Sequence, residues 1–188
     1  WSLAAGRPFV ARRLEYLEGL PATLAGRPGL LVASPAHLRR IPDEPALAVC
    51  AGLLRAVFSS GGPLPPEAAG EALAHLGHSP IEVFGSSETG GIAWRQRAVD
   101  ADRWRALPGI NWRIDGELLE VRSEHLPDDA WHLTNDRVRP LPSADGASDG
   151  FMLLGRADRI VKVGEKRVSL SMIERALLAE GGEVVEAR

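Results

Sequence analysis

A chain of 188 residues, 45% hydrophobic and 25% charged, is long enough for one sizeable core or two small ones. Its formal net charge of -3 and pI near 6.0 leave no basic footprint for nucleic acid and no reason to expect an anionic membrane surface as partner. No stretch approaches the ~20 apolar residues of a membrane span, and no signal peptide is visible.

The single cysteine, Cys50, excludes an internal disulfide framework and fits a reducing compartment, so a cytoplasmic location is expected. Its apolar neighbours favour a buried thiol over a nucleophile. The chain opens on Trp1 with no initiator Met and runs into an apolar segment almost at once, which points to a piece of something longer.

In chain order, Phe9, Val10, Leu14, Leu17, Leu20 and Leu24 have a roughly helical spacing, with Arg12, Arg13, Glu15 and Glu18 between them. They predict a short strand or turn followed by a helix. Leu30 to Ala33 reads as a buried strand, and Ser34-Pro35 as a helix start with Ser at the N-cap and Pro at N1. Ala46 to Leu54 reads as a short apolar helix that leads into a strand at Arg55 to Phe58. Ser59-Ser60-Gly61-Gly62-Pro63-Leu64 is then a loop, and Pro65-Pro66 opens a helix from Glu67 to Leu76.

The next stretch, Ile81 to Gly91, organises the rest. Strand-favouring residues run straight into Gly85-Ser86-Ser87-Glu88-Thr89-Gly90-Gly91, as when a parallel strand delivers polar groups to the carboxyl edge of a sheet, where ligands bind in open α/β folds. Small residues let the backbone approach a ligand. Ser86, Ser87 and Thr89 supply hydroxyls, and Glu88 a hard oxygen ligand for a cation such as Mg²⁺. The glycine loops at Gly61 and Gly85 are expected side by side at one sheet edge.

Beyond Gly91 the pattern changes to short strands at Ile92–Trp94, Asn111–Ile114, Glu117–Val121 and Trp131–Leu133, separated by turns such as Asp115-Gly116. A small antiparallel sheet or barrel is expected, with Trp94, Trp104, Trp112 and Trp131 mostly packing within it. Leu141 to Gly150 reads as a polar loop. Strands then follow at Phe151–Leu154, Arg159–Val163 and Arg167–Val168, and Ser169 or Ser171 caps a final helix.

Five motifs in order resemble the adenylate-forming superfamily, which includes acyl-CoA and aryl-CoA synthetases, nonribosomal peptide adenylation domains and luciferases. They are Ser59 to Leu64, Phe84 to Gly90, Gly116-Glu117-Leu118, Thr134-Asn135-Asp136, and Gly155-Arg156-Ala157-Asp158 through Lys162 and Gly164 to Glu174. The resemblance implies an α/β fold: part of the family's large N-terminal domain, as a βαβ sheet unit and then an antiparallel β-barrel-like subdomain, with the hinge and the start of the α+β C-terminal subdomain. The corresponding segments are 1–97, 98–156 and 157–188.

It also implies roles. Gly61, Gly62 and Pro63 would lie along the adenine of ATP or AMP. Phe84 would stack on it in place of the family's usual Tyr, beside Gly85 and Ser86. Ser87, where the family usually has Thr, would bond the α-phosphate, and Glu88 would bind Mg²⁺. Asp136 and Arg156 would hold the ribose, and Asp158 would be the hinge. The implied reaction joins a carboxylic acid to AMP and passes the acyl group to the thiol of CoA or of a phosphopantetheine-bearing carrier protein.

Two departures qualify the expectation. The family's Ser/Thr/Gly-rich phosphate loop and its C-terminal lysine have no counterpart here, the only lysines being Lys162 and Lys166. The chain as written is therefore expected not to catalyse the reaction, and at most to bind AMP weakly. A degenerate adenylation fold acting as a nucleotide-binding or scaffold module is the alternative. A serine hydrolase fares worse, since Gly85-Ser86-Ser87-Glu88-Thr89 misses the nucleophile-elbow pattern at Thr89. The five histidines are scattered, without a carboxylate or Cys at metal spacing, and read as surface residues.

Overall fold

The computed structural model describes residues 5–11, 13–142, 148–157, 160–163 and 166–169. Asp158 and the helix expected after Ser169 lie outside the described residues. The chain divides into two compact units, the first up to Ile81 and the second from Glu82.

The first unit pairs two parallel strands, β1 (Gly29–Ala33) and β2 (Leu54–Ser59), with Leu31 opposite Val57 and Ala33 opposite Ser59. Helix α1 (Leu20–Leu24) follows a single 3-10 turn at Leu17–Gly19, so the helical spacing read from Phe9 to Leu24 produces α-helix only over its last five residues. Helix α2 (Pro35–Leu38) starts where expected, but the Ser34 hydroxyl meets His37 Nδ1 at 2.7 Å instead of an amide. The segment expected as an apolar helix is a 3-10 helix, Pro45–Cys50, and Leu54 already belongs to β2.

Helix α3 (Pro66–Leu76) turns Ala68, Ala69, Ala72 and Leu76 inward and ends at Gly77, whose φ of +71° makes the left-handed cap that Gly adopts without a Cβ penalty. These residues pack on Leu31, Leu38, Ile41, Leu47, Leu54 and Val57 in one core. Cys50 is fully buried there, and burial pushes its thiol pKa up, which disfavours the reactive thiolate. The expectation of a strand buried on both faces at Leu30–Ala33 is corrected: Val32 is 75% exposed and only Leu31 is buried. An apolar run cannot show which of its faces lacks a covering element.

In the second unit, β3 (Ile81–Ser86) lies beside β4 (Gly90–Gln96), and β4 pairs antiparallel with the short β5 (Arg105–Ala106). Helix α4 (Arg97–Asp100) joins them, its buried Asp100 accepting from the Gln96 amide at 2.9 Å and Arg105 Nε at 2.7 Å. An antiparallel sheet follows in the order β6 (Asn111–Asp115), β7 (Leu118–Arg122), β8 (His132–Pro142) and β9 (Ser148–Arg156). Strands β10 (Ile160–Val163) and β11 (Lys166–Ser169) form an antiparallel pair.

The two sheets of this unit meet over Ile92, Ala93, Trp104, Leu119, Val121, Val138 and Phe151. A backbone bridge fastens them: Trp104 N donates to Phe151 O at 2.8 Å and Phe151 N to Trp104 O at 3.0 Å. A Cβ on Gly150 would stand 2.4 Å from the Trp104 carbonyl oxygen, so the bridge requires glycine there.

The loop expected over Leu141–Gly150 is shorter than read, because β8 runs to Pro142 and β9 begins at Ser148. Strand β8 carries Pro140 and Pro142, which a paired central strand excludes. Its pairing with β7 spans only His132 to Arg137, so the two prolines fall where β9 is its sole partner among the described residues. Of the tryptophans, Trp104 is buried and Trp112 packs against the same core. Trp131 instead lies between two guanidinium groups, Arg113 at 4.3 Å and Arg122 at 5.1 Å.

Candidate functional site

Strand β3 delivers Phe84, Gly85 and Ser86 to a three-residue tip, Ser87-Glu88-Thr89, after which β4 begins at Gly90. The neck is narrow. An added Cβ on Gly85 would lie 2.0 Å from the Gly90 carbonyl oxygen and 2.9 Å from Gly91 Cα, both backbone atoms. Gly90 itself has φ +67°, a left-handed conformation that closes the turn. Phe84 is half-buried, its ring 5.7 Å from that of Trp104 and 6.4 Å from that of Phe151. Ser87 and Glu88 are exposed at the tip.

Hydroxyls inside the loop hold it in shape. Ser86 Oγ accepts from the amides of Glu88 and Thr89, both at 3.2 Å, and lies 3.0 Å from Thr89 Oγ1. Thr89, only 2% exposed, accepts from the Ser86 amide at 3.2 Å and donates to the Gly90 carbonyl at 3.1 Å.

Beneath the loop is a buried ionic network that no single-sequence pattern announces. Glu82 on β3 takes a bidentate pair from Arg95 on β4, with Nε at 2.9 Å and Nη2 at 2.8 Å, and forms an ion pair with Arg97 Nε at 2.9 Å. Asp102 closes the set, 3.4 Å from Arg95 and 3.1 Å from Arg97. Arg95 also stacks on Trp104, its guanidinium 4.4 Å from the ring centre. A buried carboxylate needs such partners, because desolvation otherwise expels its charge.

Asp136 and Arg156, far apart in sequence, are register partners on β8 and β9, with Nη1 and Oδ1 3.8 Å apart. Thr134 anchors this corner. Buried at 7% exposure, it donates to the Leu119 carbonyl at 2.8 Å and accepts from the Asp136 amide at 3.1 Å. Thr134→Val keeps the shape but strands both backbone groups. It is expected to cost about 1–3 kcal/mol in thermal denaturation, and a change under a few tenths of a kcal/mol would refute this account of the corner.

Gly61, Gly62 and Pro63 belong to the first unit and are exposed in the loop after β2. Gly61 has φ +93°, and the Ser60 amide donates to the Ala33 carbonyl at 3.2 Å.

Among the described residues no cluster of three or more metal-ligating side chains occurs, and no helix is long and apolar enough to cross a membrane. One exposed carboxylate, Glu88, still fits Mg²⁺, which commonly takes one or two carboxylates and completes its octahedron with phosphate oxygens and water. The sequence reading missed the buried roles of Thr89, Thr134 and Glu82. For the threonines, the available signal was a hydroxyl within a motif followed two residues or fewer later by glycine or aspartate.

Comparison with known proteins fits this architecture. No protein-family model matches the chain. The adenylate-forming reductase Nps11 of Serpula lacrymans var. lacrymans is 29% identical over 184 residues, covering 88% of this chain and 16% of that protein. The 4-coumarate–CoA ligase of Cereibacter sphaeroides is 34% identical over 99 residues, covering 52% of this chain and 20% of the ligase.

Among solved structures, ATP-bound MatB from Rhodopseudomonas palustris superposes with a TM-score of 0.62 at 22% identity, over 89% of this chain and 38% of that one. E. coli MenE with a bound analogue of OSB-AMS gives 0.63 at 20% identity, over 95% and 40%. The fold is thus the mixed α/β fold of the N-terminal domain of adenylate-forming enzymes. The chain is similar over most of its length to an adenylate-forming reductase and over half of it to a CoA ligase, and it spans a fifth or less of the length of these curated relatives.

Proposed function

We propose that this chain is the nucleotide-binding part of an ATP-dependent carboxylic acid ligase. The ligase forms an acyl-adenylate and transfers the acyl group to the thiol of CoA or of a carrier protein. The observation that carries the reading is the glycine-necked loop, which leaves Ser87 and Glu88 exposed at its tip while the neighbouring hydroxyls of Ser86 and Thr89 are engaged in hydrogen bonds within the loop.

In this reading the Ser87 hydroxyl donates to an α-phosphate oxygen, and Glu88 would be the residue that holds Mg²⁺. When bound, Mg²⁺ offsets the charge that builds on the leaving pyrophosphate. Asp136 accepts hydrogen bonds from the two ribose hydroxyls, and Arg156 orients that carboxylate. Phe84 and Gly85 contact the base, and Asp158 is the hinge.

The substrate carboxylate oxygen attacks the α-phosphorus as the bond to pyrophosphate breaks. The thiol sulfur then attacks the acyl carbon, and the electron pair of the broken C–O bond leaves with AMP. The chain's own contribution is to bind and orient, since its only lysines are Lys162 and Lys166.

AMP, or a stable acyl-adenylate analogue, is expected to raise the melting temperature, because a ligand that binds only the folded state adds about 2.7 kcal/mol at a hundredfold excess over Kd. Asp136→Asn and Ser87→Ala should each reduce the shift. If neither ligand moves the transition at millimolar concentration, the chain has no nucleotide site.

A further inference from the structure

We infer that Ser86 and Thr89 do not contact the ligand but form a closed hydroxyl circuit that presents Ser87, which makes Thr89 a positioning residue of the site. The inference rests on the nucleotide reading above and goes beyond it by removing Ser86 from the set of ligand contacts.

The proton positions follow from the partners. The Gly90 carbonyl can only accept, so Thr89 Oγ1 spends its one proton there, at 3.1 Å. In the 3.0 Å contact between the two hydroxyls Ser86 must therefore be the donor. Thr89 Oγ1 already accepts from the Ser86 amide, so the Ser86 hydroxyl fills its second lone pair.

The two lone pairs of Ser86 Oγ are in turn occupied by the amides of Glu88 and Thr89. A hydroxyl has one donor and two acceptor positions, and all six positions of these two are used inside the loop. Neither can bond a phosphate oxygen without breaking a bond that shapes the turn. Thr89 is also buried at 2% exposure, whereas Ser87, between the two, is exposed. The circuit ties the residue before Ser87 to the two after it, which fixes the backbone that aims the Ser87 side chain.

Two measurements on the 188-residue chain test this. The first is amide hydrogen exchange without ligand. The Glu88 and Thr89 amides are expected to be protected in the parent chain and to lose protection at least tenfold in Ser86→Ala. Unprotected parent amides would overturn the inference and leave the nucleotide reading standing.

The second compares AMP with adenosine, which differ only by the phosphate. Thr89→Val is expected to reduce the preference for AMP about tenfold, as Ser87→Ala does, with adenosine binding unchanged and Thr89→Ser restoring the parent ratio. A merely stabilising residue would lower the melting temperature of Thr89→Val without touching that ratio, and this result would overturn the positioning role. A parent chain with protected amides but no preference for AMP would overturn the nucleotide reading, and the inference with it.

Discussion

Glu82→Ala is expected to destabilise the second unit by about 3–5 kcal/mol, the cost of removing one partner from a buried ionic set. Glu82 is 3% exposed and faces two guanidinium groups, Arg95 through both carboxylate oxygens and Arg97 through one. Without it Arg95, 7% exposed, keeps only the 3.4 Å contact with Asp102 and its stacking on Trp104. Urea unfolding followed by tryptophan fluorescence reads this unit selectively, because Trp94, Trp104, Trp112 and Trp131 lie in it and only Trp1 does not. Adding Arg95→Met should recover part of the loss, since it removes the buried guanidinium that Glu82→Ala leaves without its main carboxylate partner, although the Ala/Met pair is smaller than the original. A loss below about 1 kcal/mol would mean that water reaches the network and screens it.

Gly85→Ala is expected to have the second large effect, and a more local one. The φ at Gly85 is not in the left-handed region, so backbone preference is not the obstacle. The obstacle is the Gly90 carbonyl oxygen, 2.0 Å from where the methyl would sit. A flexible side chain could swing away, but a backbone carbonyl held between two strands moves only if β3 and β4 separate. Overpacking of this kind costs about 1–3 kcal/mol, and the backbone neighbours put Gly85→Ala at the upper end. AMP binding should disappear together with the hydrogen bond from Thr89 to Gly90. A variant of parental stability that still binds AMP would show that the neck is wide enough in solution to take a methyl group.

Much of the architecture was legible because it is local. Helix α3 was marked by Pro65-Pro66 at its start, one residue from where the structure begins it. Strand β3 and its glycine turn were marked by the change from Ile81-Glu82-Val83-Phe84 to small residues. The pairing of Asp136 with Arg156 was legible only through the order of motifs, since nothing in the intervening residues dictates the register of β8 on β9.

What was not legible depends on tertiary neighbours. Val32 sits in an apolar run yet is exposed, because the element that would cover it is not encoded in the strand. Glu82 looked like an ordinary polar residue in a strand, and its partners lie on β4 and after it, across a turn. The apolar run from Ala46 to Leu54 suggested a helix but could not show that it would be 3-10, nor that it would stop at Cys50. Within the candidate site, residue types named the groups at hand. Only the hydrogen-bond partners separated hydroxyls that face outward from those consumed in holding the loop.

The bridge between Trp104 and Phe151 also works as a gauge. The turn bearing Ser87 and Glu88 joins β3 and β4, whereas Asp136 and Arg156 stand on β8 and β9 of the other sheet. Two backbone hydrogen bonds and the glycine at 150 set the separation of these sheets. A nucleotide spans a fixed length from α-phosphate to ribose. On the proposed nucleotide reading, drift at residue 150 would therefore mis-space Ser87 and Glu88 against Asp136 and appear as lost affinity for the whole nucleotide.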